Sequence, residues 1–75
     1  MNKLYLINKI EDLSRRKGLD INYIYDECAR RYCRIYGNNI KYEMEEIYHE
    51  YDMPSFLEKK GFIDRYVSIV NEIEK

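Results

Sequence analysis

Glu46 and His49 stand three residues apart, and Glu45 and His49 four apart, the spacings at which a helix brings a carboxylate and an imidazole to one face to hold a metal ion. They belong to YEMEEIYHEYD, residues 42–52, which carries five carboxylates, three tyrosines and the only histidine of the chain. A di-metal site inside a helical bundle needs a second such helix with its own histidine, and the chain has none to give. On a helix running from residue 40, His49 also falls opposite the apolar stripe. We therefore expect neither a metal nor any other cofactor, and read the stretch as a helix with an acidic, aromatic outer side.

Nucleophilic catalysis would need Cys or Ser beside a histidine base, an orienting group and a donor for the developing charge. His49 is the sole candidate base, and Cys28 and Cys33 form no C-x-x-C motif. Five residues apart on one helix they point in different directions and cannot bridge each other. Three isolated glycines build no phosphate loop. The expectation is two reduced thiols and no enzyme.

Nucleic-acid binding has more to work with. LSRRKGLDINYIYDECARRY reads as helix, glycine turn and helix, with Arg30, Arg31 and Arg34 able to contact phosphates. The helix that would follow as a reader carries Glu43, Glu45, Glu46 and Glu50, which repel a duplex. LEKKGFIDRYVSIVNEI offers Lys59, Lys60, Arg65, Ser68 and Asn71 in a second arrangement, but its first helix is barely one turn long.

Nine tyrosines in the chain are a stronger signal. Several complete apolar stripes, whereas Tyr23 and Tyr42, at about 100° per residue, lie nearly opposite theirs. Tyr23 shares its outer face with Glu27, Arg30 and Arg34; Tyr42 shares its own with Glu45, Glu46 and His49. Tyrosine and arginine suit interfaces because they bury a large area with few rotors and keep a polar end.

These positions depend on the helices that carry them. Leu6, Ile10 and Leu13 mark a first helix over about 2–17, with a cationic last turn and Gly18 as terminator. Asp20 is the N-cap of a second over 21–36, with Ile21, Ile24, Tyr25, Cys28, Tyr32 and Ile35 as its stripe and Gly37 at its end. A third covers 40–52, turning Ile40, Met44, Ile47, Tyr48 and Tyr51 inward until Pro54 breaks it. Ser55 and Glu58 suggest a capping box before a short helical turn at 56–60. The last helix, 62–74, buries Ile63, Tyr66, Val67, Val70 and Ile73. No alternating strand pattern survives, so the fold class is all-α: one domain over 1–75, a compact bundle of four main helices.

A chain of 75 residues buries only about 60% of its unfolded surface, so an enclosed active-site cavity would compete with its core. Apolar residues at 45% and charged ones at 36% belong to a folded globule. The opening MNKLYLINKIEDL has the pattern of neither a signal peptide nor a membrane span, and a cytoplasmic protein with no membrane contact is expected. The richness in Ile, Asn, Lys, Tyr and Glu follows AT-rich coding and points to a low-GC bacterium, or its phages or plasmids. Residues 1–41 hold nine Lys and Arg against five Asp and Glu, and residues 42–75 hold four against nine, a split able to form opposed patches.

The leading expectation is a small protein-binding module, an accessory protein of a phage or mobile element that inhibits or redirects a host protein, including a cationic nucleic-acid enzyme. Its contacts would be Tyr42, Glu45, Glu46, His49 and Glu50, with Tyr23, Arg30 and Arg34 as a second set. A DNA-binding regulator using the basic half, and a homodimer or larger homo-oligomer joined by opposed charges, are the alternatives.

Overall fold

The computed structural model describes residues 1–75. Five helices follow one another: α1 (Lys3–Lys17), α2 (Ile21–Tyr36), α3 (Ile40–Tyr42), which continues as a π-helical turn (Glu43–Ile47), α4 (Met53–Lys60) and α5 (Ile63–Glu74). There is no strand, and no helix is long and apolar enough to cross a membrane. The radius of gyration, 11.5 Å, matches the ~11 Å of a close-packed chain of this length.

The second helix starts and stops where the sequence places its caps, and the first, which stops at Gly18 as expected, starts at Lys3 with Asn2 as its cap rather than its first residue. The Asn2 side chain accepts the Tyr5 amide at 3.0 Å, and Asp20 Oδ1 accepts those of Asn22 and Tyr23 at 2.8 and 3.2 Å. Each takes up amides that a helix start leaves unpaired. At the other end of α2, Gly37 adopts φ 76 and returns its N–H to Cys33, a left-handed angle that costs glycine nothing.

α1 packs on α2, α4 and α5, and α2 lies against α5. The core between them holds Leu6, Ile10 and Leu13 from α1, Ile24, Cys28, Ala29 and Tyr32 from α2, and Ile63, Tyr66, Val67, Ile69 and Val70 from α5. Ile40 and Met44 reach it from α3 and the π turn, and Met53, Phe56 and Leu57 from α4. Ile21 and Ile35, expected in the α2 stripe, are instead exposed. They lie at the two ends of the helix, where the stripe outruns the elements that cover it.

Two further expectations are corrected. The third helix does not reach Asp52: after Tyr42 the Tyr48 N–H bonds the Glu43 carbonyl, five residues back, and the Glu50 N–H bonds Met44, six back. A ladder that skips an extra residue turns less than 100° per step, so positions after Met44 lag off the stripe. His49 then takes φ 52, a region histidine visits more readily than most residues. As a result Ile47, Tyr48 and Tyr51, expected inside, are 58%, 53% and 73% exposed.

The second correction concerns α4, which is a true helix from Met53 rather than one turn at 56–60. Pro54 sits in its first turn, where a missing N–H costs nothing and the fixed φ suits the helix. The Ser55–Glu58 capping box does not form. Ser55 Oγ donates to Asp52, while the Glu58 carboxylate accepts the Lys3 backbone N–H at 3.0 Å.

Part of the charge asymmetry is consumed inside the fold. Glu74 on α5 pairs with Lys9 at 3.1 Å and Arg16 at 3.5 Å on α1. The amino terminus lies 3.4 Å from Asp64.

Candidate interaction surface

The segment from Tyr42 to Asp52 owes its outward character to the π turn. Tyr42, on the α3 side, is 58% exposed, as its off-stripe position requires, and Tyr23 on α2 is 50% exposed. Ile47, Tyr48 and Tyr51 are outside as well, where regular helical spacing would have hidden them; Tyr48 leans on the Phe56 ring at 5.6 Å with the Lys60 ammonium 4.8 Å from its own ring centre.

Its carboxylates divide into two groups. Glu43 pairs with Lys60 at 3.3 Å, and Lys60 also donates to the Tyr48 hydroxyl at 3.0 Å; these bonds hold the Lys60 ammonium above its ordinary value, the Tyr48 hydroxyl most strongly. Glu50 accepts the backbone N–H groups of Asp52 and Tyr51 and pairs with Lys59 at 3.3 Å, which together lower its pKa. Glu50 is thus a loop-fixing residue. Glu45 and Glu46 have no basic group within 4.0 Å, although Glu45 lines a depression together with Lys41. His49 is exposed, and no cluster of metal-ligating side chains surrounds it.

On the basic side, Arg30 and Arg31 share one carboxylate: Glu27 accepts from Arg30 at 2.8 Å and Arg31 at 3.2 Å, which lowers the Glu27 pKa. Arg34 is exposed with no carboxylate within 4.0 Å. Arg65, from the second helix-turn-helix arrangement, donates to the Tyr32 hydroxyl at 3.3 Å and lies 5.0 Å from the ring centres of both Tyr36 and Phe62. No spacing within the sequence announces that cluster, because its rings come from a helix some thirty residues earlier and from the turn before α5.

Two depressions lie along the α3 side of α2. One, of about 470 Å³, has Met44, Met53 and Pro54 in its lining with Tyr25, Glu45, Tyr51 and Asp52. The other, of about 380 Å³, is bordered by Ala29, Arg30, Cys33 and Arg34. Asp26 and Lys41 belong to both and are joined by a 2.9 Å ion pair. In the first, burial and then the Asp52 and Glu11 carboxylates push the Tyr25 phenol up to about 12. The apolar stripe of α2 assigns Tyr25 to the core alone; it is half-buried, packed against the core and lining the depression as well. No protein-family model, curated protein or solved structure matches the chain.

Proposed function

We propose that this protein is a non-enzymatic protein-binding module whose working surface is the acidic, tyrosine-bearing face formed by α3, the π turn and the loop after it. The observation that carries this reading is the pairing of exposed apolar side chains, Tyr42, Ile47, Tyr48 and Tyr51, with two carboxylates, Glu45 and Glu46, that form no ion pair within 4.0 Å. Large rings left in water gain by burial against a partner, and uncompensated carboxylates select a cationic one and speed the encounter. Inhibition or redirection of a host nucleic-acid protein, by an accessory factor of a phage or mobile element, is the biological form of this reading.

A duplex-binding role is less well supported, because Glu27 offsets much of the charge of Arg30 and Arg31, and Arg65 is held in an aromatic cluster. Counterion release needs several cations free to meet phosphates.

Affinity capture on the tagged protein, with and without nuclease, tests the proposal when run beside a Tyr42→Ala, Glu45→Lys, Glu46→Lys variant. The reading expects one stoichiometric protein that survives nuclease and is lost with the variant. Equal capture by a folded variant removes the acidic face as the working surface.

A further inference from the structure

The acidic and basic contact sets, which the sequence reading treated as separate faces, adjoin each other. The depression bordered by Glu45 and Asp52 and the one bordered by Arg30 and Arg34 both open along α2, and the Asp26–Lys41 ion pair stands between them as a shared crossbar. From Asn22 to Arg34 the helix advances about 18 Å. Along that length the charge reverses: Asp52 and Glu45 lie near the helix start, and Arg34 lies near its end with no carboxylate of its own.

From this juxtaposition we infer that the two depressions form one polarised furrow that takes a short linear segment of another protein, cationic at the end lying over Glu45 and Asp52 and anionic at the end lying over Arg30 and Arg34. The inference rests on the protein-binding reading and deepens it by naming the partner's chemistry.

Charge complementarity selects this occupant. At the acidic end, Glu45 and Asp52 line the depression together with Tyr25, so a lysine or arginine entering there meets carboxylates and a ring together. Met44 and Pro54, both buried, give its methylene stem an apolar floor. At the basic end Arg34 has its full donor set available to a carboxylate, and Arg30 can offer the nitrogens that Glu27 leaves free. The crossbar is neutral as a pair and suits a backbone passing over it. An extended chain covers the furrow in about five or six residues at 3.3 Å each. A second copy of this chain fits less well, since a concave furrow does not fill another concave furrow.

The test is selection of a random peptide display library on the immobilised protein, followed by affinities of the enriched peptides for wild type, Arg34→Glu and Glu45→Lys. The expected peptides carry Lys or Arg at one end and Asp or Glu at the other, and each single reversal weakens them about tenfold, the worth of one well-placed charge contact. Arg34→Glu should abolish the preference for the anionic end and spare that for the cationic end; Glu45→Lys should do the converse. The same peptides should slow alkylation of Cys33, which borders the basic end. Enrichment of peptides without charge polarity, no enrichment at all, or affinities indifferent to Arg34→Glu would overturn the single-furrow inference. If Arg34→Glu leaves capture of the cellular partner intact while the Tyr42, Glu45, Glu46 variant loses it, the furrow is refuted and the acidic face stands. Loss of neither removes both.

Discussion

The Tyr66 hydroxyl on α5 donates a 2.7 Å hydrogen bond to the backbone carbonyl of Tyr25 on α2, 41 residues earlier, and the two rings lie 6.3 Å apart. Tyr66 is fully buried and its phenol is held far above the usual range, chiefly by that burial. One residue therefore packs the core and sets the register of α5 on α2. Tyr66→Phe removes only the bond and should cost about 1 kcal/mol, a fall of roughly 4–8 °C in Tm for a domain of this size. Tyr66→Ala should cost about 3–5 kcal/mol, read from urea or thermal unfolding.

Tyr51 and Tyr32 provide a contrast between a surface ring and a core ring. Tyr51 is 73% exposed, whereas Tyr32 is fully buried, 4.7 Å from the Tyr36 ring centre and 5.7 Å from that of Phe62. Tyr51→Ala should leave stability within about 0.5 kcal/mol of wild type, and Tyr32→Ala should remove about 3–5 kcal/mol. A large loss at Tyr51 in chemical denaturation would return that ring to the core and remove it from the proposed binding surface.

Acid should weaken the fold through Glu50 and Glu27. Both have lowered pKa values, Glu50 first through backbone amides and Glu27 through Arg30 and Arg31. Their stabilisation is fully present above the unfolded value of 4.5 and disappears as pH falls through the lower folded values. Glu50→Gln should flatten the acid limb of a plot of unfolding midpoint against pH. An unchanged limb would show that the 50–52 loop contributes nothing to it.

The thiols should separate cleanly. Cys28 is fully buried, and desolvation pushes it from 9.0 up to about 12, while Cys33 is half-buried at the edge of a depression. A thiol reagent should modify Cys33 in the native protein and Cys28 only on unfolding. Stability should hold below pH 9.0 and fall as pH rises toward about 12, because the unfolded thiol ionises first.

Much of the fold was readable because its signals are local. Leu6, Ile10 and Leu13 repeat at helical spacing, Asp20 caps by its own side chain, and Gly18 and Gly37 stop their helices by backbone angle alone. The stretch after Met44 was not readable. Glu43 to Ile47 form a π turn through a bond pattern that no residue type marks, and extrapolating the regular period turned Ile47, Tyr48 and Tyr51 the wrong way. Pro54 was read as a breaker where its place in the first turn makes it an initiator. Tyr23 and Tyr42 are indeed outside, but the adjacency of the two depressions depends on how α2 and α3 dock, and that is a tertiary fact.

The stretch from Asn39 to Asp52 supplies only Ile40 and Met44 to the core, and past Glu43 its backbone bonds reach back five and six residues instead of four. Free energy of local opening follows such differences in burial and ladder regularity. In hydrogen exchange, the amides of this stretch should therefore open by a sub-global route, well before those of α2 and α5, whose release requires global unfolding. The side chains of this stretch can then rearrange while the rest of the bundle stays intact.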